Sequence, residues 1–378
     1  MDQLADLSAR YGTFYAPAFS VRVGSDDLVR DLLLAVSQIE VELVLGAASR
    51  FSFTVCDCYD HEGHQFQTGR GVDPLKLLEF GTQIAIGMGY GDAKSTPTIM
   101  LGMITEISTS FPDAGSPELV IAGYDHGYPL TLGKNSDSWK DRADSDVVHM
   151  IAGFHNLNAV IESTSERHPQ IEQSQESDWN LLKKLADRNS DQESNHFELY
   201  VDIDERKQPV LHFGKPKLKA APLCKLNWGS GLLNFRPQAN VAGQVSKVEV
   251  YGRDEHRAEV IVGRASADDT SGKTKAPGQY LKAFVRAPEK QPTLRLRQPV
   301  FTQAEADQRA KAALSELTQK FLTGEGEAIG IPTLRPDRTV MIGNLGDAFS
   351  RPYYIEQVTH KIDAGGYRTR FKVRETKL

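Results

Sequence analysis

The strongest constraint on this chain is a train of short alternating segments that starts at Phe19: FSVRV, IEVELVL, FSFTVCDCY, QIAIGMGY, IMLGMITEIS and ELVIAGYD. Each puts apolar side chains at every second position, the period of a half-buried strand, and each is bounded by Gly, Pro, Asp or Ser. Short consecutive strands joined by turns pair antiparallel, which predicts a barrel or sandwich. The pattern returns in VSKVEVYG and HRAEVIVG after Gln244, and again in TVMIGN, PYYIEQVTHKID and YRTRFKVRE. Two stretches also match in order, 84–125 and 340–375. Each reads strand, Gly-Asp turn, long alternating strand, a turn with an Ala-Gly pair, and a final strand. Ile99, Leu101, Met103 and Thr105 alternate on one as Tyr354, Glu356, Val358 and His360 do on the other. The two β-rich ends are therefore expected to be duplicated barrels.

Between them the period becomes helical, in DVVHMIAGFH and in IEQSQESDWNLLKKLADRN. In the second, Ser177 sits at the N-cap position, Trp179, Leu182, Leu185 and Ala186 share a face, and Asn189 is a left-handed stop. Two strands follow, HFELYVDID and PVLHFG. Further on, Thr302 and Glu305 form a capping box, and Ala306, Ala310, Ala313, Leu314, Leu317 and Phe321 form an apolar stripe that Gly324 ends. The fold class predicted is mainly β with an α+β insert: two tandem antiparallel β-barrel domains plus a small α/β domain. The expected domains are a first barrel over 1–129, the α/β insert over 130–216, and a second barrel over 217–378 with a late helix (302–323) and a mobile loop (264–280).

At 378 residues the chain exceeds one ordinary core. Its formal net charge of −6 disfavours a sequence-independent grip on nucleic acid, which needs a basic surface. Three cysteines are too few for a disulfide framework, so a reduced chain is expected. No run of about 18 apolar residues is present to span a bilayer. The opening MDQLADLSARYGTFYAPAF has Asp2 and Asp6 and no apolar h-region, which argues against a secretory signal and for synthesis in the cytoplasm.

Candidate chemistry is sparse. Cys56, Cys58, His61 and His64 lie close enough in sequence to suggest zinc, and Cys-x-Cys on a strand puts both thiols on one face. The His pair flanks Glu62-Gly63, however, which reads as a hairpin turn. Gly87, Gly89 and Gly91 imitate a phosphate loop, but a strand follows them instead of a helix. His126, His149, His155 and His360 form no pattern with a nucleophile, and His360, alone on a strand, reads as a structural hydrogen-bonding residue. Glu172, Glu176 and Asp178 crowd a helix start. They suit the helix dipole and cap, and residues at a solvent-facing start lack the burial that a glycosidase acid needs. Trp139, Trp179 and Trp228 could offer glycan-stacking platforms, although Trp179 falls on a helix core face. No catalytic, cofactor or metal residue is assigned.

The stretch IEQSQESDWNLLKKLADRN resembles the "Q-x-x-E-S-D-x-x-(F/L)-L-x-(R/K)-L-A" segment of the phage late control protein D family, the baseplate hub of contractile-tailed phages. The same family takes in hubs of phage-like injection systems and the N-terminal half of the type VI secretion VgrG spike. YAPAFSVRVGS, QIAIGMGYGD with TIMLGMITEIS, FELYVDID with VLHFGKP, AEADQRAKAAL and PYYIEQVTHKIDAGGYRTRFKVRE resemble further family segments in the same order. Two departures stand out: SDQESN over 190–195 replaces a sharp glycine turn, and the sequence stops at Leu378 after the terminal strand, from which the spike is expected to be another polypeptide.

The resemblance implies a structural hub with no reaction and no cofactor. It implies a homotrimer that joins a sixfold inner tube protein to a threefold spike protein, with baseplate wedge and tape-measure proteins as further neighbours. The site of assembly would be the baseplate of a phage tail or injection particle. A glycan-cleaving or receptor-binding tail component is the competing reading.

Overall fold

The computed structural model describes residues 2–68, 71–191, 195–254, 259–267, 275–285, 287–297, 300 and 302–378. The first half supplies β1 (Pro17–Val23), β2 (Asp26–Asp27), β3 (Ala35–Val44), β4 (Arg50–Cys56), β5 (Tyr59–Asp60), β6 (Gln65–Phe66), β7 (Gln83–Tyr90), β8 (Thr98–Ser110) and β9 (Glu118–Asp125). Its main strands run β1-β7-β8-β9-β4-β3, antiparallel throughout, with β2 added beyond β1. Their alternation sends Val21, Ile39, Val41, Phe51, Phe53, Ile84 and Ile86 into one core.

The insert supplies β10 (Asn135–Ala143), β11 (Asn158–Ile161), β12 (Arg167–Glu176), β13 (Glu198–Ile203) and β14 (Pro209–Gly214). β10 pairs with β12, and β11-β14-β13 form a second small sheet. Helices Asp144–Phe154 and Asp178–Arg188 add Val147, Ile151, Trp179, Leu182 and Leu185 to its core. The Ser177 hydroxyl accepts from Asn180 N at 3.3 Å, as an N-cap should. Asn189 departs from its predicted left-handed geometry. It is extended (φ −92°, ψ 146°) and stops the helix with its side chain, which donates to Leu185 O at 2.8 Å and to Asp144 Oδ2 at 2.6 Å. Of the SDQESN turn, residues 192–194 lie outside the described residues.

The last third supplies β15 (Lys225–Trp228), β16 (Gly231–Ala239), β17 (Lys247–Asp254), β18 (Glu259–Ser266), β19 (Thr293–Arg297), β20 (Leu322–Ile329), β21 (Arg338–Gly343), β22 (Pro352–Asp363) and β23 (Gly366–Glu375). Six of these close a barrel in the order β15-β21-β22-β23-β20-β16. Leu7 from the helix Leu4–Arg10 completes the core of this barrel. β17, β18 and β19 stand apart under the helix Gln303–Gln319, with a core of their own. That helix stops at Gln319 because Phe321 turns into the barrel core. In the segment expected to be a mobile loop, residues 268–274 lie outside the described residues. Its flanks are the end of β18 and the helix Pro277–Leu281.

The two halves share more than a hairpin. Matching β1, β3, β4, β7, β8 and β9 to β15, β16, β20, β21, β22 and β23 in chain order reproduces the whole strand order. The irregularities match as well. Register shifts fall between Ile104 and Glu106 of β8 and between Ile355 and Gln357 of β22, and likewise between Val36 and Gln38 of β3 and between Leu232 and Asn234 of β16.

Two expectations need correction. Only the second unit closes among the described residues. In the first, the edge of β3 is taken by β22, with Ile39–Val44 opposite Gln357–Ile362, so it is not available to β1. The closed barrel is also not wholly antiparallel, because β15 runs parallel to both β16 and β21. Polar contacts tie the units together. Trp179 Nε1 donates to Gly46 O at 3.1 Å, Tyr90 Oη to Gly330 O at 2.9 Å, and Arg335 reaches Asp202 and the carbonyls of Thr98 and Ile99.

Candidate assembly surface

The β3–β22 pairing makes β16-β20-β23-β22-β3-β4 one continuous surface. Because the inward residues of every strand are committed to cores, the outward set is polar. It is also ordered. Asn234, Glu327, Arg370, Thr359, Glu42 and Arg50 stand abreast in one row across six strands, and Arg236, Glu325, Lys372 and Gln357 in the next. A third row brings Arg368, Lys361 and Glu40 side by side.

Opposite charges face one another along the first two rows, the arrangement that stabilises cross-strand pairs, whereas Arg368 and Lys361 adjoin in the third. Arg370 Nε lies 3.3 Å from Glu327 Oε2, Arg50 Nη2 lies 2.9 Å from Glu106 Oε2, and Gln357 donates to Glu42. A shallow groove of about 240 Å³ runs between Asn234, Glu327, Gln357, Thr359 and Arg370. With six cations and four carboxylates interspersed in these rows, the surface offers complementary contacts without an unbroken field of one sign.

The residues singled out by sequence are scattered relative to this surface. β4 ends at Cys56 and Asp57 takes φ +49°, so alternation does not continue and the two thiols diverge. Cys56 Sγ faces Glu118 Oε1 at 3.5 Å, while Cys58 is buried against Val55 O. Burial, chiefly, pushes both thiols up. His61 to His64 form the turn between β5 and β6, and the His61 ring meets Tyr59 edge-on. Among the described residues no three His, Cys, Asp or Glu side chains gather as metal ligands. Gly87, Gly89 and Gly91 lie at the end of β7 and in the turn after it.

Asp178 is the clearest revision. It is buried, not solvent-facing, and sits at the centre of a polar cluster: it accepts from His155 Nε2 at 2.7 Å, Gln173 Nε2 at 2.8 Å and Asn135 Nδ2 at 2.8 Å. Burial alone would raise its carboxyl, but these donors outweigh burial and hold it below the usual range. A group kept ionised in this way is unsuited to the protonated role in glycoside cleavage. Glu176 pairs with Lys184 at 2.7 Å, and Glu172 accepts from Gln170. Of the tryptophans, Trp179 is buried, whereas Trp228 is exposed at the end of β15. His360 is fully buried, and desolvation drives it down to about 3, so it is neutral near pH 7.

A closed six-stranded barrel fused edge to edge with an open copy of itself defines a tail-protein fold. The chain matches the 43 kDa tail protein of prophage MuSo2 from Shewanella oneidensis with a TM-score of 0.68 and 13% identity, covering 95% of this chain and 98% of that one. A tail protein from Neisseria meningitidis matches with a TM-score of 0.66 and 13% identity, over 96% and 97% of the two chains. The E. coli c3393 protein, a type VI secretion component described as structurally similar to the phage T4 tail proteins gp27 and gp5, matches with a TM-score of 0.55 and 11% identity, over 94% and 76%. No curated protein matches the sequence. The family model described as the Alg8 N-terminal domain matches residues 18–364, and the chain belongs to that family.

Proposed function

We propose that this chain is a structural ring subunit at the hub of a contractile tail or injection particle. In this reading three copies present six similar β-units to a sixfold inner tube on one side and three whole subunits to a threefold spike on the other. The first β-unit is then an opened barrel, and the domains divide near residues 129 and 216, with the helix Leu4–Arg10 serving the second barrel. Wedge and tape-measure proteins are the outer and inner neighbours. The role needs no reaction, metal or cofactor from this chain. Assembly takes place in the baseplate after synthesis in the bacterial cytoplasm.

The observation that carries the reading is a pair of open strand edges at equivalent places in the duplication. β22 uses its first half against β21 and its second half against β3. Its counterpart β8 is paired with β7 as far as Met103, with Ile104 bonded to Gly81 and Thr82, and among the described residues Thr105–Ser110 has no strand on that side. β16, the counterpart of β3, meets β15 at Gly231 and Leu232, and among the described residues no strand pairs on that side from Leu233 to Ala239. An open edge is a template for a further strand. If a neighbouring copy sets its β16 against β8, the β3–β22 contact is repeated between chains and a C3 ring closes. Carrying the matched register shifts over would set Gln238 opposite Ser108, as Glu42 is opposite Thr359 within the chain.

The test is the double variant S108C/Q238C. Directly opposed residues have Cβ atoms about 4.5–5.5 Å apart, near disulfide reach. Mild oxidation of the assembled particle or of the concentrated chain should trap a covalent trimer that neither single variant forms. A hexamer by mass, or no trimer-specific cross-link, would overturn the ring.

Two further outcomes are expected. The polar face described above would line the channel, and its mixed charge predicts a lumen without a continuous Lys/Arg wall, which would retain passing anions. Cys56, Cys58, His61 and His64 should hold no metal. Elemental analysis of the purified chain is the check, and stoichiometric zinc whose chelation lowers stability would contradict the assignment.

A further inference from the structure

Among the described residues, the small sheet β18-β17-β19 is covered on one face, by the helix Gln303–Gln319. Val248, Val250, Ile261, Leu294 and Leu296 turn toward the helix Gln303–Gln319, where Ala306, Ala310 and Leu314 complete the core. Gly263 lies so close that a Cβ there would sit 2.1 Å from the Ala306 carbonyl carbon. Alternation therefore sends Lys247, Glu249, Tyr251 and Arg253 of β17 to the opposite face. Arg264 from β18 and Arg295 and Arg297 from β19 join them there.

Pairing sets these side chains in rows. Arg264, Glu249 and Arg295 stand abreast, then Val262, Tyr251 and Arg297, then Val260 with Arg253. Among the described residues of this face five cations thus surround one carboxylate, and that carboxylate is already committed. Glu249 accepts from Tyr251 Oη at 2.8 Å and lies 3.2 Å from Arg295 Nε and 3.9 Å from Arg264 Nε. The two arginines nevertheless keep 70% and 72% of their side chains in solvent, and Val260 beside them is 69% exposed. Like charges packed on one sheet face repel, so a lone chain gains nothing from this arrangement.

We propose that this open, cationic face docks an acidic segment of a partner polypeptide, one that alternates carboxylate and apolar side chains. Guanidinium forks match carboxylates bidentately, and the Val260, Val262 and Tyr251 row offers apolar seats between them. The face is net positive on a chain whose formal charge is −6, so an anionic partner would be steered to this module over the rest of the surface. A nucleic acid fits less well. Sheet platforms for single strands present two or three rings for base stacking, whereas this face has one tyrosine with its hydroxyl tied to Glu249, and the Glu249 carboxylate repels phosphate.

The experiment measures anisotropy of the full-length chain with a short fluorescent peptide of Glu-Val-Asp-Ser repeats at physiological salt. It includes the Gln/Asn version of that peptide and a thymidine oligonucleotide of equal charge. The acidic peptide should bind and its amide version should not, and R264E/R297E should weaken binding by about tenfold or more. An unchanged melting temperature in R264E/R297E, whose altered side chains are exposed, separates loss of binding from loss of fold. The proposal is overturned if the wild type ignores the peptide, if R264E/R297E binds it equally, or if the oligonucleotide binds more tightly.

Discussion

Asp337→Ala is expected to remove about 3–5 kcal/mol of folding stability, from a buried hydroxyl left without an acceptor, a second one weakened, and alanine forced into a left-handed backbone. Asp337 is 2% exposed and sits at φ +55°, between the barrel and the insert. Its Oδ2 accepts from Tyr200 Oη at 2.8 Å and from Lys217 Nζ at 2.7 Å, and its Oδ1 accepts from Lys217 N at 2.8 Å and Tyr354 Oη at 3.0 Å. Tyr200 belongs to β13 of the insert and Tyr354 to β22 of the barrel, so one carboxylate joins two cores. Without it, Lys217 can turn its half-exposed ammonium to water, but the buried Tyr200 hydroxyl cannot follow and the Tyr354 hydroxyl keeps only the longer bond to Glu198 Oε1 at 3.3 Å. Alanine also tolerates the left-handed backbone poorly, whereas asparagine visits it routinely. Asp337→Asn keeps that backbone and one acceptor, so it should lose only about 1–3 kcal/mol. Urea denaturation followed by tryptophan fluorescence separates the cases. A loss in Asp337→Ala within about 1 kcal/mol of zero, below the usual toll of an orphaned buried donor, would show that the joint lies elsewhere. Splitting of the transition into two would show that the insert has been released from the barrel as a separate unit.

The joint was invisible in the sequence for a physical reason. Pro336 stands just before Asp337, and the run LRPDRT reads as an ordinary turn. Only the positive φ at Asp337, a conformation that Asp and Asn tolerate, sets it apart, and that is a property of the fold. What was legible was local. The β7-β8-β9 and β21-β22-β23 meanders announce themselves by a period of two, and Ser177 and Thr302 by their cap chemistry. What was not legible depends on partners far away in sequence. Whether the first unit closes is decided by Ile39–Val44 meeting Gln357–Ile362, and nothing in either segment names the other. Asp178 looked like a dipole residue because its donors His155, Gln173 and Asn135 come from three elements that only the fold assembles. The cationic face was readable in principle, since Lys247, Arg253, Arg264, Arg295 and Arg297 alternate with apolar residues along their strands. Finding it required knowing which of those strands lie side by side.

A single methyl group at Gly330 should be nearly as damaging as the loss of Asp337. A Cβ there would lie 2.1 Å from Tyr367 Cγ and 2.3 and 2.5 Å from its two Cδ atoms, so the ring lies flat against the glycine. The ring has nowhere to go. Tyr367 is 2% exposed, its hydroxyl is 2.9 Å from His360 Nδ1, and its carbonyl accepts from Gly330 N at 3.0 Å. His360 is neutral because burial disfavours its charged form, so one ring nitrogen must donate and the other accept. Nε2 lies 3.0 Å from Leu334 O, which can only accept, and this assigns the proton to Nε2 and leaves Nδ1 to take the Tyr367 hydroxyl. Pushing the ring aside therefore adds the loss of that bond to the overpacking itself, and each contributes about 1–3 kcal/mol. Gly330 O also accepts from Tyr90 Oη of β7, so the shift would be felt in the first β-unit as well. Gly330→Ala should consequently lower stability by about 3 kcal/mol or more in denaturant titration. The decisive comparison is the double variant with Tyr367→Leu. Once the flat ring is gone the same methyl should cost less than about 1 kcal/mol, a non-additivity that only direct contact produces. An equal cost in both backgrounds would mean that the ring is not what excludes a side chain at Gly330.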